Sequence, residues 1–404
     1  MEENIVIAGG GIGGLAAALA LGQRGVDIQL LEQAVEFGEV GAGVQLGPNG
    51  VRVLESWGQG DALRAVAAFP QCLRVRNAMH GGVLGELPLG SAMVQRYGAA
   101  YATIARADLH RLLLGAVRRL PNVQLHLATE VTGVEQDAGG VRVQSHGENF
   151  TAGALIGADG VWSRIRAQVI SDGLPRVTGH LAFRAMVTQA ELPKHLRSQV
   201  VTAWLGRDFH VVHYPVCRGE LLNVVAIVHG QLVGDPKLWD HSANAANAAN
   251  AAELQGRLSA AGSDLQDLVR AIPAWRLWAL CDRPPMQSAA EHAKGRIALL
   301  GDAAHPMRPY LAQGAGMAIE DADALAKALA KVLTNARTAL PQDIPAALQN
   351  YAHQRWERNA RVQARAIRNG ETFHLHGLMQ LGRDLSIRLL GKKLLDVPWL
   401  YGGA

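Results

Sequence analysis

Residues 5–32 constrain this chain more tightly than any other stretch. Ile5-Val6-Ile7-Ala8 is a short apolar run that enters a Gly-x-Gly-x-x-Gly turn at Gly9, Gly11 and Gly14. Ile12 and Gly13 open a helical pattern, and a second apolar run, Val26 to Leu31, ends on the acid Glu32. Gly9 allows the tight turn, Gly11 lets a pyrophosphate approach the backbone, and Gly14 lets the helix lie close on the sheet. The helix N-terminus, with unpaired N–H groups and partial positive charge, faces the phosphates. Glu32 is placed to accept hydrogen bonds from ribose hydroxyls. A bare glycine triad could be an ordinary turn. The ordered set of strand, turn, helix, strand and acid predicts a dinucleotide site, and leaves FAD and NAD(P) undistinguished.

At 404 residues the chain has room for two or three domains. Its 49% hydrophobic and 18% charged residues suit a soluble α/β enzyme. No stretch approaches the length of a membrane span, and Met1-Glu2-Glu3 lacks a basic signal-peptide start. Cys72, Cys217 and Cys281 are odd in number and far apart, without metal spacing. They read as reduced thiols of a cytoplasmic protein with no metal site. A formal charge of +4 gives little reason to expect a nucleic-acid partner. The basic excess concentrates late, at Arg355, Arg358, Arg361, Arg365, Arg368, Arg383, Arg388, Lys392 and Lys393. Its plain reading is a solvated helical face. Steering of anionic substrates and peripheral contact with an anionic membrane stay open, as does a homodimer.

Strand and helix patterns alternate through about residue 55, as in βαβ units. Residues 71–99 look like a β-hairpin excursion, and 178–285 take on the character of an antiparallel sheet. The run 244–252 is low-complexity, leads into a surface helix, and is assigned no function. Arg296 to Leu300 returns the chain to the first domain, and a long amphipathic helix is predicted over roughly 316–333.

Two further motifs follow. Gly157-Ala158-Asp159-Gly160 with Ser163 and Arg166 makes a polar, phosphate-friendly corner, or else a helix start capped by Asp159 or Ser163. Gly301-Asp302-Ala303-Ala304-His305-Pro306 precedes Gly314-Ala315-Gly316, whose helix opening would aim N–H groups at an anion. In this order the three motifs resemble those of the FAD-dependent aromatic hydroxylases, the single-component flavoprotein monooxygenases, from Ile5 to about Ala330. The chain looks most like the salicylate and 3-hydroxybenzoate 6-hydroxylase branch, on Gly38 to Asn49, Arg106-Ala107-Asp108-Leu109-His110 and Tyr310-Leu311-Ala312-Gln313-Gly314.

The resemblance implies an α/β fold: a Rossmann-like FAD-binding domain (1–70, 100–177, 286–345), an inserted antiparallel-sheet substrate domain (71–99, 178–285) and a C-terminal helical region (346–404). It implies tightly bound FAD held by Gly9, Gly11, Ile12, Gly13, Gly14, Glu32, Gln45, Arg106, Asp159, Asp302, Gly314, Ala315 and Gly316. NADH or NADPH would be a transient co-substrate, since no second Gly-x-Gly-x-x-Gly unit appears. His305 and Pro306 would border the flavin ring, with Pro306 counted among the catalytic residues. The implied activity is NAD(P)H- and O2-dependent hydroxylation of a phenolic, hydroxybenzoate-like acid through a flavin C4a-hydroperoxide. Alternatives are a hydroxylase of a quinone precursor or heteroaromatic acid, and a flavin dehydrogenase or reductase without oxygen transfer.

The small aromatic substrate should lie between flavin and second sheet. In His210-Val211-Val212-His213-Tyr214 alternation puts His210 and Val212 on one side and His213 on the other. A histidine matching His210 is implied to deprotonate the phenol, which imidazole can do near neutral pH. Val212, Tyr214 and Pro309 are further substrate-lining candidates. Arg184 and Arg308 could each clamp a carboxylate; for Arg184 a domain-interface ion pair is the preferred alternative.

Overall fold

The computed structural model describes residues 4–38, 42–232, 234–237, 246–333 and 343–403. Glu39, Val40 and Gly41 of the quoted motif lie outside them, as do Asn244 and Ala245 of the low-complexity run. The four apolar residues Ile5–Ala8 form a fully buried strand in a six-stranded sheet. Its order is Ala293–Lys294, Ile297–Leu299, Ala154–Gly157, Ile5–Ala8, Ile28–Leu31, Val123–His126. All pairs are parallel except the first. Burial on both faces explains why these strands read as unbroken apolar runs. The Ala-rich helix Ile12–Gly22 is buried almost all round and packs against helix Gly314–Leu333.

A seven-stranded sheet carries the second half of the cavity described below. Its order is Arg276–Asp282, Arg176–Thr188, Leu221–His229, Phe209–Val216, Val201–Leu205, Cys72–Asn77, Val83–Pro88. One pair departs from the antiparallel expectation: Val201–Leu205 runs parallel to Cys72–Asn77. The hairpin was laid down more than a hundred residues earlier, and so long a connection permits parallel pairing.

Helix Asp343–Phe373 crosses back onto the first sheet, followed by Gly377–Leu390. The expected solvated basic face is only partly present. Arg368, Arg388, Lys392 and Lys393 are exposed, whereas Arg355 and Arg383 are buried and ion-paired. Burial makes such pairing necessary, because an uncompensated guanidinium inside protein is costly. Helix Gly377–Leu390 instead exposes an apolar stripe of Leu378, Leu381, Leu385 and Leu389. Among the described residues, no helix is long and apolar enough to cross a membrane.

Candidate active site

One cavity of about 960 Å³ runs from the glycine turn to the seven-stranded sheet. At its first end, Gly9 takes φ +106°, and a Cβ there would stand 2.4 Å from the Ala158 carbonyl oxygen. A Cβ on Gly11 would meet nothing within 4 Å, so the backbone at the helix start is open to a ligand. The helix has no side-chain cap and no acid in its first turn, leaving its first N–H groups for an anion. Glu32 accepts from the Gly10 N–H (2.6 Å) and the Ala34 N–H (2.8 Å), which fixes its carboxylate in the wall. Ile12, Gly13, Gln45, Arg106, Gly314 and Ala315 line the same cavity. An uncapped helix start, a glycine cradle and an oriented acid are what a dinucleotide requires, and the residues present fit FAD.

Asp302 is exposed in the cavity wall on the turn Gly301–Ala303, where Gly301 takes φ +61°. Replacing Asp302 by Ala should weaken FAD binding about ten- to hundredfold. One charge-assisted hydrogen bond is worth about 1.5–3 kcal/mol. Titrating the apoprotein with FAD by fluorescence measures it; unchanged affinity removes Asp302 from the site.

Asp159 lines the cavity but is already engaged. Its Oδ1 accepts from the Ser163 hydroxyl (2.6 Å), and its Oδ2 from the N–H groups of Arg164 (2.8 Å) and Ile165 (3.2 Å). Burial raises its pKa against the pull of these bonds. Ser163 in turn accepts from the Arg166 N–H at 2.9 Å. The capped-helix reading therefore describes this corner, with both residues as caps. Arg166 turns away from the cavity to Asp172 (2.5 Å) and Glu291 (3.2 Å).

Five of the anticipated residues are absent from the lining: Gly14, His305, Pro306, Arg308 and Gly316. Gly14 is a packing glycine, since its Cβ would stand 1.8 Å from the Gly9 carbonyl oxygen. Gly316 is the third residue of the helix, against Gln313 and Asn49. Pro306 is buried and its carbonyl accepts from Gln363 (3.3 Å), while His305 is fully buried with Nε2 2.5 Å from Asp321 Oδ2. The His305-Pro306 pair therefore anchors the loop from behind, and Met307 and Pro309 reach the cavity instead.

At the second end, strand pairing sets the wall. Arg184, Val225 and Val212 form one cross-strand row, and Ile227 and His210 share the next pairing; all five line the cavity with Tyr214. His213 belongs to the other face, beside Trp204, with a ring-centroid distance of 6.4 Å. His210 is 2% exposed, and its Nδ1 lies 2.8 Å from His374 Nε2. Burial, then His374 and His180, hold its pKa well below the usual imidazole value.

The two arginines exchange the roles expected of them. Arg308 is the ion-paired one, with Nε 2.7 Å from Asp282 Oδ2. Arg184 has no ion pair among the described residues, and its Nε has no hydrogen-bond partner. Its guanidinium stacks over Trp278 at 4.7 Å from the ring centroid. Burial lowers its pKa to about 10, so it stays charged at neutral pH. A charged, half-buried guanidinium in a cavity wall calls for an anion.

Sequence reasoning missed Trp278, Phe373 and the histidines behind His210, and quoted Tyr310 only as part of a motif. Phe373 and His374 come from the C-terminal helical stretch, more than 160 residues away, where no motif or periodicity marks them. His110 was quoted only as part of a motif; its Nε2 sits 2.8 Å from the Gly10 carbonyl oxygen, bracing the glycine turn.

A family model described as "FAD binding domain" matches residues 2–366. The chain is 38% identical to 3-hydroxybenzoate 6-hydroxylase from Polaromonas naphthalenivorans, over 98% of this chain and 95% of that protein. It is 37% identical to a 3-amino-4-hydroxybenzoate 2-monooxygenase from Streptomyces platensis, over 99% and 96%. Among solved structures, a salicylate hydroxylase substrate complex superposes with a TM-score of 0.80 at 28% identity, covering 98% and 95%. The glycine cradle, the Asp302 turn and the family match converge: this chain belongs to the FAD-dependent aromatic hydroxylases and is a flavoprotein monooxygenase.

Proposed function

We propose that the protein hydroxylates a hydroxybenzoate-like acid with NAD(P)H and O2, anchoring its carboxylate on Arg184 and its phenol on His210. The observation that carries this reading is the unpaired Arg184 guanidinium on the same cavity wall as a buried imidazole. Bound FAD, reduced by NAD(P)H, supplies the oxygen chemistry. The chain's own residues bind, orient and deprotonate. Trp278 holds the guanidinium plane, while Val212, Val225 and Ile227 give an apolar floor for the ring and exclude water. His210, kept neutral by burial, offers a ring nitrogen to the hydroxyl; a phenolate ring is the better nucleophile for oxygen transfer.

NAD(P)H oxidation against a panel of hydroxybenzoates under 18O2 tests the reading, with label expected in the ring product. Oxidation without label would favour a reductase. Arg184→Met should raise KM for the acid about ten- to hundredfold, and should affect the matching benzyl alcohol far less, since only the acid loses a charged partner. Equal effects on both would remove the carboxylate from Arg184. We also read the leucine stripe of helix Gly377–Leu390 as a homodimer contact, which solution mass measurement checks.

A further inference from the structure

A buried base must dispose of the proton it takes. His210 Nδ1 lies 2.8 Å from His374 Nε2, and His374 Nδ1 lies 3.0 Å from His229 Nε2. His210 is in the cavity wall, His374 is 6% exposed, and His229 is at the surface. Three rings therefore join the cavity wall to water through two hydrogen bonds. We propose that His210, His374 and His229 form a proton relay that carries the substrate's hydroxyl proton out of the cavity.

The proton count is simple. The phenol O–H gives its proton to His210 Nε2 as His210 Nδ1–H passes to His374 Nε2. His374 Nδ1–H passes to His229 Nε2, and His229 Nδ1–H leaves to water or buffer. Each imidazole ends neutral with its tautomer reversed, and the substrate is left as phenolate. One orientation of the chain, Nδ1–H on His210 and His374, leaves His210 Nε2 free to accept. The surroundings favour passage over storage. Burial, His229, His180, Arg383 and Arg308 together push the His374 pKa down to about 3, so an imidazolium held inside is strongly disfavoured. Tyr310 and Phe373 pack on His210 at ring-centroid distances of 5.0 and 5.3 Å, holding its plane toward His374.

The relay rests on the phenolic-substrate reading, so its test has two arms. The first needs no substrate. In 15N-histidine NMR of the FAD-loaded protein, His210 and His374 should carry protected protons on Nδ1; Nε2–H on both overturns the relay even in an active hydroxylase. The second arm mixes holoenzyme with 3-hydroxy-4-nitrobenzoate in a stopped-flow instrument and follows phenolate absorbance. EDTA is present because the donor atoms of His180, His229 and His374 lie within 4.8 Å of one another and could collect stray metal. His229→Gln should slow ionisation about tenfold, a part of the usual share of general-base catalysis, with probe affinity unchanged. Added imidazole should restore its rate, whereas a structural defect would not respond. His374→Gln should be slower still and poorly rescued, being shielded from buffer. Wild-type rates in both variants, or a His229→Gln defect that imidazole leaves untouched, would overturn the relay. A wild-type protein that binds no hydroxybenzoate would sink the substrate reading, while the NMR arm still decides the relay.

Discussion

His210→Ser should slow hydroxylation by about 10²–10⁴-fold, the usual share of general-base catalysis. The serine hydroxyl cannot reach His374 or take a proton near neutral pH, so the phenol must ionise unaided. FAD affinity should hardly change, because His210 lies at the cavity end opposite the glycine turn. Flavin reduction should suffer less than hydroxylation, since hydride transfer needs no phenolate. NAD(P)H consumption would then outrun product, with hydrogen peroxide making up the difference. Product yield per NAD(P)H, measured by chromatography, separates this from loss of binding. His213→Ser is the control: that ring sits on the opposite sheet face, beside Trp204, and should remain coupled. A fully coupled His210→Ser would move the base elsewhere.

The largest stability loss is expected at Arg355, far from any substrate. Its guanidinium bonds Asp321 Oδ1 and Glu320 Oε2, each at 2.8 Å, and all three residues are buried. Burial alone would raise the Asp321 carboxyl, but His305 and Arg355 hold it well below the usual range. Arg355→Met keeps the volume, takes the guanidinium from the fully buried Asp321 and leaves Glu320 to Arg358 alone. Breaking a buried pair from one side costs about 3–5 kcal/mol. The effect should reach the cofactor, because Asp321 Oδ2 also accepts from the Gly301 N–H at 3.3 Å, at the base of the turn that presents Asp302. Denaturant unfolding of the apoprotein and FAD release from the holoprotein should both report it; an unchanged midpoint would show the network adds nothing. The sign with pH follows. A carboxyl depressed on folding adds stability above its unfolded value, about 4, and that stability is lost as pH falls toward the lower folded value. Acid unfolding of Arg355→Met should therefore begin at higher pH than in the parent chain.

Local chemistry made the dinucleotide end legible. Glycine spacing, an apolar four-residue strand and a terminal acid each carry a backbone requirement within thirty residues. The second end was legible only in part. Strand alternation separated His210 from His213, because period two survives in any sheet with one buried face. It could not show which arginine was paired. Asp282 captures Arg308 and Trp278 supports Arg184, and both lie roughly a hundred residues or less along the chain but in another strand. His305 misled for the same reason. A histidine in a cofactor motif reads as facing the cofactor, yet Asp321 and Arg355 turn it inward. Core ion pairs leave no periodic signature. Arg355 and Arg358 looked like surface residues because their acidic partners, Glu320 and Asp321, stand on the preceding helix.

The strand order of the first sheet bears on how a ribosome can make this protein. Ile5–Ala8 emerges first, yet one of its two neighbours is Ala154–Gly157, which in turn awaits Ile297–Leu299. At about 5–20 residues per second, an apolar strand edge stays open for roughly ten seconds or more before its second partner exists. The early hairpin Cys72–Pro88 waits likewise for Val201–Leu205. Neither sheet can be finished in sequence order, and the cavity between them closes only when most of the chain has left the tunnel. Yield in cells should therefore respond to translation speed and to chaperones that cover exposed strand edges, and FAD can be taken up only late, by a nearly complete chain.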